Sequence, residues 1–120
     1  MRLQVLQEVL PGDVHRIAPQ GRLDSNTVVA FEQVIVAHLE SGRVQIVIDM
    51  LGVTYVSSSG LRVLITAQRR ARSSSGDVVL CNMQPRIREI FEIVGFLGLF
   101  TVRASLAEAQ QAFPNGVGAM

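Results

Sequence analysis

A chain of 120 residues, 48% hydrophobic and only 18% charged, has room for one domain with its own core and no need of cross-links. Its lone cysteine, Cys81, excludes a disulfide framework within the chain, and its net charge of +1, with all eleven basic residues arginines scattered from Arg2 to Arg103, leaves no footprint for nucleic acid. No apolar stretch approaches the roughly 18 residues a membrane span requires, and Met1-Arg2-Leu3-Gln4 lacks the apolar core of a signal peptide, so a cytoplasmic protein is expected.

The predicted elements alternate strand and helix. Leu3–Val9 and Val14–Ala18 flank Pro11-Gly12-Asp13 and read as a hairpin. Asp24-Ser25-Asn26-Thr27 supplies helix-capping residues, after which Val28, Phe31, Ile35 and Leu39 recur at helical spacing until Gly42. Val44–Ile48 is a short, continuously apolar, β-branched run, as expected of a strand covered on both faces, and Asp49 closes it. A further apolar run ends at Val56, and three serines lead from it into a second helix, Gly60–Arg72. That helix has Leu61, Leu64, Ile65 and Gln68 on one face and Arg62, Arg69 and Arg72 on others.

Ser73–Asp77 makes a turn into the strand Asp77–Cys81, where the cysteine reads as a small buried apolar residue. Pro85 opens a third helix with an expected stripe of Ile87, Ile90, Phe91 and Val94, ended by Gly95. Phe96, Leu97, Leu99 and Phe100 follow, as core packing or as a contact patch. Leu99–Arg103 is the last expected strand, and Ser105 with Glu108 forms a capping box for a last helix to about Phe113. The fold class is therefore α/β: a mixed, mostly parallel sheet of about five strands with about four helices and an antiparallel N-terminal strand. Residues 1–113 form the single domain, and 114–120 are expected to be a flexible tail.

Candidate chemistry concentrates at Ser57, Ser58 and Ser59. A strand feeding a helix gathers unpaired amide N–H groups and the positive end of the helix dipole at one spot. A hydroxyl there either caps the helix or carries a phosphate. A hydrolase elbow would need glycines two residues before and after the nucleophile, and Tyr55 and Val56 are too bulky for that strained turn. His15, expected near the surface, and His38, near the end of the first helix, have no carboxylate or cysteine at ligand spacing. No catalytic residue, metal or cofactor is assigned, and without lysine there is no Walker-type nucleotide loop.

The stretch from Val47-Ile48-Asp49 through Tyr55-Val56-Ser57-Ser58-Ser59-Gly60-Leu61-Arg62 to Leu64 resembles the signature of STAS domains, specifically the stand-alone bacterial anti-sigma factor antagonists. Gly21-Arg22-Leu23-Asp24 resembles the family's lead-in to its first helix, and Pro85-Arg86-Ile87 through Gly95-Phe96 its Pro-led third helix. The resemblance implies a phosphorylation switch. The serine directly before the glycine, here Ser59, is the implied acceptor, with Ser58 second to it. The implied partner is an anti-sigma factor that is also an ATP-dependent serine kinase, bound by the unphosphorylated form through Ser57, Ser58, Ser59, Gly60, Arg62 and Asp24. A weak homodimer is a further implied partner state.

Phosphate adds about −1.5 to −2 charges, which a helix N-terminus accepts but a close interface does not. Arg62, one turn on, is either a solvated helix arginine or a partial counter-charge. Where the family commonly has aspartate two residues before the acceptor, this chain has Ser57, which removes a carboxylate beside the site. That departure favours an alternative, a scaffold or sensor module working by protein contacts without phosphorylation. A second alternative, an enzyme with Ser58 or Ser59 as nucleophile, lacks a placed base.

Overall fold

The computed structural model describes residues 3–113; the expected tail at 114–120 lies outside the described residues. Two strands open the chain, β1 (Gln4–Leu10) and β2 (Val14–Leu23), paired antiparallel across a turn in which Gly12 and Asp13 both take positive φ. Then follow α1 (Val28–Glu40), β3 (Gln45–Asp49), β4 (Val53–Val56), α2 (Ser58–Ser73), β5 (Asp77–Cys81), α3 (Pro85–Ile93), a 3₁₀ turn at Leu97–Leu99, β6 (Thr101–Arg103) and α4 (Leu106–Gln110). The sheet order is β1-β2-β3-β5-β6, all parallel except β1, and β4 pairs with the C-terminal part of β2. The mixed, mostly parallel α/β class is as expected, with six strands instead of five.

Alternation along the central strands sorts side chains into two cores. Ile46 and Ile48 of β3, with Val78 and Leu80 of β5, join Phe31 and Ile35 of α1, Leu61, Leu64 and Ala67 of α2 and Ile87 and Phe91 of α3. The opposite face sends Val14, Val47, Val79 and Cys81 against Ala109 and Phe113 at α4. Helices on both faces are why these strands lack polar alternation. Burial in this second core, and the negative charge of Asp49, raise the Cys81 thiol to about 12, which leaves it inert as a nucleophile.

Asp49 does more than end β3. Its buried carboxylate accepts from Arg16 Nε and Nη2, each at 2.9 Å, and from Asn82 Nδ2 and the Leu51 amide, each at 3.1 Å. A buried charge so fully bonded fixes the turn after β3. Gln84 Nε2 fastens the same turn by donating to the Leu51 and Val53 carbonyls. That tight turn allows a separate strand, β4, which the apolar run to Val56 alone did not delimit.

Several expectations change: β2 runs on to Leu23 and α4 ends at Gln110. His15 and His38 are buried, 4% and 5% exposed, with their rings edge to face at 5.5 Å. His15 does have a carboxylate neighbour, contrary to expectation: Asp13, two residues before it, meets His15 Nε2 at 2.8 Å, while His38 Nδ1 lies 2.9 Å from the Val34 carbonyl oxygen. The pairing follows from α1 laying its last turns over the start of β2. Val94 does not continue the stripe of α3: it is the C-cap, 45% exposed, and the core instead takes Phe100, which packs edge to face on Phe91 at 5.9 Å. The last strand begins at Thr101, not Leu99, because Leu97–Leu99 closes a 3₁₀ turn whose Leu99 carbonyl accepts from buried Gln68.

Phe91 is fully buried between α3 and the Leu97–Phe100 segment. Its replacement by alanine is expected to lower the unfolding free energy by about 3–5 kcal/mol in a denaturant titration. A loss under about 1 kcal/mol would contradict the packing described.

Candidate functional site

The three serines lie where two strands end together. Beyond β3, β2 pairs with β4, and a register shift between Gly21 and Arg22 inserts Thr54 as an extra residue on β4. Gly21, at φ +121°, accepts this bulge. The shift sets the Arg22 guanidinium 4.3 Å from the centre of the Tyr55 ring. One strand residue later, Leu23 offers its carbonyl to the Ser57 amide at 2.8 Å, which ties the end of β2 to the start of α2.

Ser57 is the N-cap. Its backbone is extended, and its hydroxyl accepts from the Gly60 amide at 3.3 Å while its carbonyl accepts from Leu61 at 3.0 Å. Ser58 and Ser59 are the first two helical residues, so α2 begins two residues before the expected Gly60. Ser58 is exposed and Ser59 half-buried, and no hydrogen bond to either hydroxyl occurs among the described residues. Their amides are first-turn donors with no place in the helical ladder. No acidic residue stands in that turn, so the positive end of α2 is not neutralised by its own sequence.

Gly60 is buried because α2 is pressed onto the end of β2. A Cβ at this position would stand 2.9 Å from the Leu23 carbonyl oxygen and 3.1 Å from both Leu23 Cβ and Val56 Cγ1. The glycine is thus required by a close approach and not by its dihedral angles.

Asp24 follows Leu23 directly, so the structure brings the Gly21–Asp24 lead-in to the serines. Its carboxylate accepts from Arg22 Nε at 3.1 Å and from the Asn26 amide at 3.0 Å, and these bonds hold its pKa below the ordinary 3.8. Thr27 Oγ1 donates to the Arg22 carbonyl at 2.6 Å and accepts from the Asp24 amide at 3.0 Å, closing the turn. Thr27 is the N-cap residue of α1, but its side chain serves this turn and does not cap the helix. Arg62 is exposed one turn beyond Ser58 and makes no ion pair among the described residues.

Two hollows that tertiary contacts create lie around this junction. A hollow of about 520 Å³ between β4 and α3 is lined by Arg22, Tyr55, Arg86, Glu89, Ile90 and Ile93. A groove of about 350 Å³ runs along α2, past Ser58, Arg62, Ile65 and Arg69 to Val94 and Phe96. The available signal for the second was compositional: α2 carries four arginines and no carboxylate.

A model of the STAS domain matches residues 8–109. The chain belongs to the STAS family. Its likeness to BtrV of Bordetella bronchiseptica, a protein to which the role of anti-sigma factor antagonist is provisionally attached, is 37% identity over 98 residues, 82% of this chain and 84% of that one. A crystal structure of an anti-sigma factor antagonist from Mycobacterium paratuberculosis superposes with a TM-score of 0.82 at 25% identity, covering 92% of each chain. The Bacillus cell fate determinant SpoIIAA in its phosphorylated form superposes with a TM-score of 0.68, over 88% of this chain and 96% of that one; at 21% identity the likeness is one of fold. Within the STAS family the chain is of the anti-sigma factor antagonist kind. Among the described residues no helix is long and apolar enough to cross a membrane.

Gly60→Ala is expected to destabilise the protein by about 1–3 kcal/mol, the range for forcing extra volume into a packed site, read from the denaturant midpoint. An unchanged midpoint would mean that α2 is not seated on Leu23 as described.

Proposed function

We propose that this protein releases a sigma factor by binding its anti-sigma factor through the N-terminus of α2, and that phosphorylation of Ser59 by that same partner, acting as an ATP-dependent serine kinase, ends the binding. The observation that carries this reading is the pair of unengaged hydroxyls on Ser58 and Ser59 at a helix start free of carboxylates, beside the ordered Asp24 turn. Free amides and the dipole accommodate a phosphate there, so the fold survives the modification. A partner seated on the same surface does not accommodate it without a cation to meet the charge. The phosphorylated state named for SpoIIAA fits this use of the fold.

Ser57 retains the cap that an aspartate would supply, since serine and aspartate are comparable N-caps. What its substitution removes is a charge of helix-dipole type, about 0.3–1 kcal/mol, and not the presentation of Ser59. A serine-nucleophile enzyme gains no support. The two histidines pack at the start of β2, eight residues before Leu23, or about 25 Å along an extended strand, far beyond reach of the serines as general bases.

A second acceptor has one observation in its favour: Ser58 is exposed, whereas Ser59 is half-buried. Incubation with the cognate kinase and ATP, followed by mass spectrometry, decides between them. One phosphate is expected, lost in Ser59→Ala and retained in Ser58→Ala. The reverse pattern assigns the switch to Ser58, and no phosphate in the wild type leaves a scaffold that works by contact alone.

A further inference from the structure

The arginines of α2 form a pattern that phosphorylation alone does not explain. Ser58, Arg62, Ile65 and Arg69 are spaced i, i+4, i+7 and i+11, so they fall on one stripe of the helix, with Arg62 and Arg69 two turns apart, about 10 Å along the axis. The stripe forms one wall of the 350 Å³ groove; Val94 and Phe96, past the end of α3, form another. Every charged side chain lining the groove is an arginine. Of the four arginines on α2, only Arg72 has a carboxylate, Asp77 at 2.9 Å, among the described residues. Val94 is 45% exposed although it is apolar.

A surface with an apolar floor and two unpaired guanidinium groups is complementary to an occupant that is both apolar and acidic. We propose that this groove seats an amphipathic helix of the protein partner, with apolar side chains over Ile65, Val94 and Phe96 and carboxylates about two turns apart meeting Arg62 and Arg69. The proposal rests on the reading above in taking the partner of α2 to be a protein. It adds the chemistry of the contact and a reason for its control: Ser58 heads the same stripe, and a phosphate on Ser58 or Ser59 stands about one turn from Arg62. It competes for that arginine and repels the incoming carboxylates. The sequence that attracts the partner is then the one that phosphate neutralises.

A displayed library of helix-forming peptides, selected on the unphosphorylated protein, tests this without knowing the partner. Enriched peptides are expected to carry Asp or Glu seven residues apart around an apolar stripe. Their affinity is expected to fall at least tenfold for the Arg62→Glu, Arg69→Glu double variant, and selection on that variant should enrich basic peptides instead. Both residues are exposed, so an unchanged thermal unfolding curve shows the variant intact. Peptides with no acidic bias, or binding indifferent to the charge reversal, would overturn the proposal. So would recruitment to phosphatidylglycerol vesicles or concentration-dependent self-association in sedimentation, if either is abolished by the double variant while no peptide is selected. Ser59→Ala is expected to select the same acidic peptides, so failed phosphorylation with successful selection sinks the switch and keeps the groove; the converse does the opposite.

Discussion

The joint between the end of β2 and the start of α2 governs this molecule. There the Leu23 carbonyl accepts from the Ser57 amide, and Gly60 lies so close to the same residue that no side chain would fit. A helix of sixteen residues has its first turn placed by one hydrogen bond and one missing methyl group. Because α2 is seated there, Ser57 caps the helix, while exposed Ser58 and half-buried Ser59 keep their hydroxyls and amides unengaged among the described residues. The Asp24 turn follows Leu23 by one residue, and so it is carried to the same spot.

That joint depends in turn on interactions some distance away. The bonded carboxylate of Asp49 fixes the turn after β3, so β4 starts at Val53 and pairs with β2, where the bulge at Gly21 sets its register. Val56 then delivers the chain to Ser57. A buried charge on one face of the sheet therefore determines where a hydroxyl is offered at its edge. Such an arrangement suits the proposed switch, in which the only change asked of the site is a gain of charge.

Most of the fold was legible because the signals were local and mutually consistent. Pro85 at the first turn of α3, Ser105 accepting from the Glu108 amide and the unbroken apolar runs of β3 and β5 each decide their element with no help from elsewhere. Tertiary contacts decided the rest. His15 and His38 are 23 residues apart and hide one another, which no spacing rule reveals. Val94 fits the helical period of α3 and still donates to the Ile90 carbonyl, but as the C-cap it is left 45% exposed, and Phe100, from beyond Gly95, fills the place beside Phe91. For the site, the serines stood out in the sequence because a strand-to-helix junction has a recognisable composition, whereas Asp24 and the choice of Ser59 came with the resemblance to STAS domains. The groove as a whole could not, because its two walls come from segments about thirty residues apart; the arginines of one wall and Phe96 of the other, read as core or contact patch, were the only hints.

The central claim is that phosphate at the head of α2 changes the surface and leaves the scaffold alone. Its most direct measurement is paired: the affinity of the anti-sigma partner for unphosphorylated and fully phosphorylated protein by calorimetry, beside the thermal unfolding of the two forms. The account predicts at least a tenfold loss of affinity, about 1.4 kcal/mol, with the unfolding midpoint essentially unmoved. Equal affinities, or a loss of binding that merely follows a collapse of stability, would contradict it.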